Sequence, residues 1–340
     1  MDAALYDSQE GYYTRADRQR WGKDGDYRTS PECSPLFAAT FARFFAGLHD
    51  KLGSPARWTI VEAGAGAGHF AEGVLATMQL RWPEVFAATT YIIDEASQSS
   101  IGLARKRLKR FGNQVDFRTL RNIPAIEVGL VFSNELLDSF AVHRVTLRKG
   151  ELSEYYVTLA DSGEFCWTVG PLSTPRITHY LEFVGARLSE GQIVEVNLGV
   201  EDWLTDTAAR LLVGYLVTVD YGAETAELIH GRGREQGSLR AFRAHQFVED
   251  LLAHVGEQDL TTTIDWSFVR QLGDELGLKT VAWERQDRFL LQAGLLAELE
   301  AKAAESATEA EQLRLRTSSR QMILPDGMAA RFQVLVQRKQ

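Results

Sequence analysis

Three glycines at alternate positions, Gly64, Gly66 and Gly68, follow an apolar run that closes on Glu62. Glycine lacks a Cβ and tolerates positive φ, so such a turn lets backbone amides approach a ligand closely. The spacing is not the G-x-G-x-x-G of dinucleotide folds, and no Gly-Lys-Ser/Thr follows to make a phosphate-cradling loop. Three more polar groups break apolar runs. Asp94 and Glu95 close one of them, and a carboxylate there can accept hydrogen bonds from both hydroxyls of a ribose. Ser133-Asn134-Glu135-Leu136-Leu137-Asp138 closes another, and Asp220-Tyr221-Gly222 a third. Glu135 and Asp138 could orient a cationic nucleophile such as a guanidinium, with Asn134 accepting a hydrogen bond through its amide oxygen. The same carboxylates could act as general base on a hydroxyl. Taken singly, each cluster also fits a turn with a helix N-cap, Asp138 above all.

The elements that would carry these groups alternate between strand and helix. Strands are expected at 58–62, 89–94, 115–120, 128–133 and 215–220, with helices at 70–80 and 97–110. Strands separated by helices imply right-handed parallel crossovers and a sheet covered on both faces, with ligands beyond the carboxyl ends of the strands. The candidate residues above all fall at such ends. Ser34-Pro35 reads as a helix start, and Phe37, Phe41, Phe44 and Phe45 as the core-facing side of that helix. Residues 145–210 read as a hairpin followed by a helix. Residues 223–265 read as a polar loop whose arginines, among them Arg232, Arg234, Arg240 and Arg243, face solvent. Further expectations are a helix at 266–276, a strand at 280–283, one Ala/Glu/Leu-rich helix at 289–313 and a last strand at 332–336.

The chain has 340 residues, 45% of them hydrophobic, which is enough for a large core and about two domains. Its net charge of −9 disfavours nucleic-acid binding, which needs basic surface. Two cysteines support neither a disulfide framework nor a zinc site, and no metal ligand set is evident. The acidic N-terminus carries no apolar leader or Arg-rich transit pattern, and no apolar run reaches the ~20 residues of a membrane helix. These features lead to the expectation of a cytoplasmic protein with no membrane partner. A homodimer stays open.

A strand ending in an acidic residue and running into G-x-G-x-G is the usual nucleotide turn of S-adenosylmethionine (SAM) methyltransferases. With Gly11-Tyr12-Tyr13, Thr29-Ser30-Pro31-Glu32, Asn134-Glu135, Asp220-Tyr221-Gly222 and Gly237-Ser238-Leu239-Arg240-Ala241-Phe242, the chain resembles the MidA-like family of SAM-dependent methyltransferases along nearly its whole length. The resemblance implies an α/β fold: a Rossmann-like class I methyltransferase core, a mostly parallel sheet with helices on both faces, plus an N-terminal helical segment and an inserted hairpin/loop cap. The implied division is an N-terminal cap over 1–55, the first part of the core over 56–145, an insertion over 146–210, a core strand over 211–222, a substrate cap over 223–275 and C-terminal helices with the final strand over 276–340. SAM is the implied cofactor, held by Thr29, Ser30, Pro31, Glu32, Glu62, Gly64, Gly66, Gly68, Asp94, Glu95 and Asn134. The implied catalytic set is Asn134, Glu135, Asp138, Asp220 and Tyr221. The expected reaction is methyl transfer to a protein side chain, arginine favoured, or to another acceptor. Two alternatives are a small-metabolite O-methyltransferase and a SAM-binding assembly protein with weak catalysis. The chain departs from the family pattern at Ala65 and Ala67 in the turn, at His69 where a small hydroxyl residue is usual, and along Leu136 and Phe140-Ala141 at the acceptor-facing lip.

Overall fold

A computed structural model describes residues 1–15, 34–244, 246–306, 308–324 and 331–340. In chain order its strands are β1 (Trp58–Ala63), β2 (Thr89–Asp94), β3 (Val115–Phe117), β4 (Ile126–Asn134), β5 (His143–Arg148), β6 (Glu151–Leu159), β7 (Phe165–Gly170), β8 (Ile193–Val196), β9 (Leu211–Ala223), β10 (Arg240–Arg243), β11 (Gln246–Val248), β12 (Asp259–Thr261), β13 (Ile264–Asp265), β14 (Lys279–Arg285) and β15 (Phe332–Lys339). The chain divides into two compact units. The sheet unit comprises Gln19–Leu136, Asp206–Asp220 and Gly273–Gln340; the insert unit comprises Met1–Arg18, Leu137–Thr205 and Tyr221–Leu272.

The sheet unit is built on strands in the order β14-β15-β9-β4-β1-β2-β3. β1 pairs parallel with both β2 and β4, β2 with β3, and β4 with β9, while β14 and β15 are antiparallel. This is the mostly parallel, doubly wound sheet expected from the alternation of elements. The central strands are near-continuous apolar runs because both of their faces are covered: in β1 only Thr59 is not buried. The helix Pro35–Lys51 starts as expected, with proline in the first turn and the Ser34 hydroxyl accepting from the Leu36 amide at 3.2 Å. Its Phe37, Phe41 and Phe45 are fully buried. They meet Phe70 of the helix His69–Arg81 and Phe132 of β4, whose rings stack at 4.3 Å and 9°. At mid-sheet Gly129 faces Gly214, and a Cβ on Gly214 would lie 1.8 Å from the Gly129 carbonyl oxygen. Only glycine permits that approach, and Gly214 also has φ +144°.

Several element boundaries differ from expectation. β3 stops after three residues, and a 3-10 turn at Leu120–Asn122 takes over the end of the expected strand. The helix expected over 97–110 ends at Leu108 and tightens into a 3-10 turn. The helix expected over 289–313 is three: Gln286–Gln292, Leu295–Glu305 and Glu309–Ile323. The first break falls at Gly294, where φ is +99° and a Cβ would crowd Arg43 Cδ at 2.6 Å.

In the insert unit, β7-β6-β5-β8 form an antiparallel sheet, and β11-β10-β12 a second one. β13 pairs parallel with the last residues of β9. The single hairpin and helix expected over 145–210 are therefore three strands, the helix Arg176–Phe183, a fourth strand and the helix Leu198–Arg210. The polar loop expected over 223–265 holds a short helix, Thr225–His230, and the second sheet. Arg240 and Arg243 are not on a solvated loop but on β10, beside the fully buried Ala241.

Candidate active site

The glycine turn leaves β1 in the left-handed region at each glycine: φ is +71° at Gly64, +53° at Gly66 and +76° at Gly68. Any other residue at these three positions would be strained. The turn is tied to the end of β2, since the Gly64 amide donates to the Asp94 carbonyl at 2.8 Å. The Gly66 amide donates to Glu95 Oε2 at 2.7 Å, and the Ser97 amide to Glu95 Oε1 at 2.8 Å. Glu95 thus links the turn to the start of the helix Gln98–Leu108. A Cβ on Gly64 would lie 3.0 Å from Leu136 Cδ1, and one on Gly68 3.1 Å from Ala104 Cβ.

Glu62 is buried and accepts a hydrogen bond from the Tyr91 hydroxyl at 2.6 Å. The register places both on one face: Glu62 faces Ile93, and Tyr91 lies two residues before it on β2. Burial pushes the Glu62 carboxyl up to about 8, against the downward pull of the Tyr91 hydrogen bond, and the neighbouring Glu95 charge adds to the rise. Burial also pushes Asp94 up, to about 6. Glu62 faces Phe132 on β4, so Asn134 shares its face of the sheet.

At the end of β4, Asn134 donates through Nδ2 to Glu135 Oε1 at 3.0 Å, while Asn134 Oδ1 is buried with no hydrogen-bond partner. The buried hydroxyls of Ser133 and Thr218, opposed across β4 and β9, also lack one. Glu135 has φ +52°, a strained value for a side-chain-bearing residue, and its amide still donates to the Val219 carbonyl at 2.9 Å. An acceptor without a partner on Asn134 and a strained backbone at Glu135, both at the carboxyl end of β4, are compatible with a ligand there. Together with the glycine cradle, this donor and acceptor set fits a nucleoside carrying an amino acid. Asp220, at the neighbouring end of β9, is fully buried.

In the insert unit, Asp138 is 8% exposed and its Oδ2 accepts from the Thr261 hydroxyl at 2.7 Å. The Tyr221 hydroxyl bonds to both Thr261 and the Asp138 carboxylate, and the Arg240 guanidinium lies 5.2 Å from the centre of the Tyr221 ring. Burial raises the Asp138 carboxyl, against the hydrogen bonds and the Arg240 charge. Asp138 is thus fixed by its neighbours. Its partners Thr261 and Arg240 are absent from the sequence-derived site, as is Tyr91 beside Glu62. The signal for Tyr91 was its position on the expected strand 89–94; Thr261 stood in the sequence only as part of the segment Asp259-Leu260-Thr261 that shares in the family resemblance, with no role attached. Thr29, Ser30, Pro31 and Glu32 lie outside the described residues.

A glycine turn with positive φ at all three glycines, an acid at or beside the end of each of the first two strands and a mostly parallel sheet are the pattern of the class I methyltransferase fold. The model of the family described as "Putative S-adenosyl-L-methionine-dependent methyltransferase" matches residues 40–283, and the chain belongs to that family. A crystal structure of a superfamily member from Burkholderia thailandensis bound to S-adenosyl-homocysteine is similar to this chain. Its TM-score is 0.85 at 27% identity, with 99% of this chain and 86% of that one covered. The protein named "Protein arginine methyltransferase NDUFAF7 homolog, mitochondrial" of Drosophila melanogaster is 26% identical over 366 residues, covering 98% of this chain and 79% of that one. The mouse protein named "Protein arginine methyltransferase NDUFAF7, mitochondrial" is 24% identical over 360 residues, covering 98% and 78%. The chain is a SAM-dependent methyltransferase. The cytoplasmic location expected from the N-terminal sequence is overturned by these relatives, whose names place them in mitochondria. No helix among the described residues is long and apolar enough to cross a membrane.

Proposed function

We propose that the methyl acceptor is an arginine side chain of a protein. The observation that carries this reading is the pair at the end of β4: the buried acceptor Asn134 Oδ1 without a partner, beside the Glu135 carboxylate on a strained backbone. A guanidinium offers only donors and a positive charge, which is what an amide oxygen and a carboxylate can bind. The names of the curated relatives support the same acceptor.

SAM, when bound, supplies a methyl group on a sulfonium that departs as a neutral thioether. The residues proposed to hold it are Glu62, Gly64, Gly66, Gly68, Asp94, Glu95 and Asn134. In this reading Glu62 faces the amino-acid ammonium, and Glu95 accepts from the ribose, releasing the Gly66 amide. Glu135 orients the guanidinium so that one nitrogen lone pair points at the methyl carbon. As the N–C bond forms and the C–S bond breaks, the attacking nitrogen becomes more acidic, and Glu135 takes its proton. The proposed part of Asp138 is positioning: it holds the hydroxyls of Tyr221 and Thr261. Alignment and removal of water supply most of the rate in such a displacement.

The test is incubation of the purified protein with tritiated SAM and a mitochondrial protein extract, followed by acid hydrolysis. Label eluting with methylated arginine is expected. Label confined to small molecules, or to base-labile esters, would overturn the arginine reading in favour of an O-methyltransferase.

A further inference from the structure

The helix Gln98–Leu108 sends one side chain back to the glycine turn. Arg107 donates from Nε to the Ala67 carbonyl at 3.0 Å, from Nη1 to Glu72 Oε2 at 3.0 Å and from Nη2 to His69 Nε2 at 2.7 Å. All three partners lie within six residues of one another, inside the turn or in the first turn of the helix after it. An arginine has only donors, so His69 Nε2 must be the acceptor and its proton must sit on Nδ1. Burial and the Arg107 charge both lower the affinity of His69 for a second proton, which keeps this acceptor available. His69 stands where the family resemblance leads one to expect a small hydroxyl, and Ala65 and Ala67 stand where it leads one to expect stiffer or larger residues. The two departures belong together. Alanines leave the turn with fewer restraints of its own, and Ala67 lends its carbonyl to a guanidinium that His69 and Glu72 hold in place.

We propose that Arg107 is a positioning residue for cofactor binding: with His69 and Glu72 as its supports, it fixes the Ala67 peptide and so the aim of the Gly66 and Gly68 backbone. This rests on the assignment of the glycine turn as the SAM site. It separates two kinds of effect. Fixing the turn governs affinity for cofactor, not the rate of transfer once cofactor is in place.

The experiment measures SAM and S-adenosyl-homocysteine binding by calorimetry, with melting temperature and with kcat at saturating SAM. Arg107→Met keeps the aliphatic stem and removes all three donations; binding should weaken about tenfold or more, with kcat nearly unchanged. His69→Gln keeps an acceptor and should bind within about twofold of wild type, whereas His69→Leu keeps the bulk, loses the acceptor and should weaken binding severalfold. Arg110→Gln, which loses a 3.6 Å contact with Glu72 and a stack on the Phe111 ring but none of the Arg107 donations, should leave binding unchanged. Equal affinity in wild type and Arg107→Met, or equal effects of Gln and Leu at His69, would overturn the proposal. Should Arg107→Met fail to fold, the His69 pair carries the test alone. Absence of SAM binding in the wild type would instead overturn the site assignment itself.

Discussion

Glu62 should make cofactor binding release a proton. Its carboxyl is buried against Tyr91, no cation lies beside it among the described residues, and burial pushes it up to about 8. At pH 7 such a group is roughly 10% ionised. Placing an ammonium against it favours the ionised form, so binding at pH 7 should expel about 0.9 proton per ligand. Affinity should then rise about tenfold between pH 7 and pH 9, after which the carboxylate has nothing left to lose. The ligand's own amine titrates near the same range, so the informative quantity is the difference between wild type and Glu62→Gln. Calorimetry at pH 7 in phosphate and in Tris reads proton release directly, because the two buffers differ in ionisation enthalpy. Wild type should show a buffer-dependent heat that Glu62→Gln lacks, and Tyr91→Phe should shift the rise to higher pH by removing the bond that favours the ionised form. Stability follows the same linkage with a definite sign. The folded value lies above the ordinary 4.5, so the favourable term is complete below pH 4.5 and is lost as pH rises through about 8. At pH 7 the loss is on the order of 3 kcal/mol, and Glu62→Gln without ligand should be more stable than wild type there. Identical buffer dependence in wild type and Glu62→Gln would refute the assignment of Glu62 to the cofactor ammonium.

Three further outcomes are expected. Glu135→Gln keeps a carbonyl for Asn134 Nδ2 but loses the charge; transfer should fall by about a hundredfold or more while the SAM dissociation constant stays within about twofold. Glu298 is fully buried between Arg43, at 2.8 Å, and Arg81, so Glu298→Gln takes the counter-charge from Arg43 and leaves Arg81 with Glu305 alone, at 3.0 Å. A loss of about 1.5–3 kcal/mol is expected in urea unfolding, with no change in cofactor affinity for whatever fraction remains folded. Gly214→Ala drives a methyl into the Gly129 carbonyl and should abolish soluble expression or lower the melting temperature by at least about 10 °C, whereas Gly47→Ala, with open space around it, should do neither.

The parts of this fold that could be read in the sequence are those whose physics is local. β1, β2, β4 and β9 are apolar runs that end abruptly in polar residues, and a strand buried on both faces leaves no other pattern. The glycine turn was legible because positive φ at three alternate positions has only one affordable residue type. Short strands fail that criterion. β10, β11 and β12 have three or four residues each, too few for alternation to stand out, and their arginines look like solvated surface until Ala241 is seen buried between them. The broken C-terminal helix failed for a related reason. Ala, Glu and Leu favour helix on either side of Gly294, so only the approach of Arg43 from another helix shows why that residue must turn left-handed. At the site, the asymmetry runs between residue and partner. Glu62, Glu95, Asn134 and Asp138 announce themselves as polar groups at the ends of apolar runs. What each one is doing depends on a residue far along the chain: Tyr91 for Glu62, Thr261 for Asp138, and Arg107 for the turn itself. A buried carboxyl bonded to a neutral phenol, as at Glu62, is pushed toward its protonated form, while the one at Glu298 lies between two arginines; the sequence shows the same letter at both. The acid at the end of the first strand is therefore a candidate for a cationic ligand because of Tyr91 and because no cation is paired with it among the described residues, and only the fold supplies that distinction.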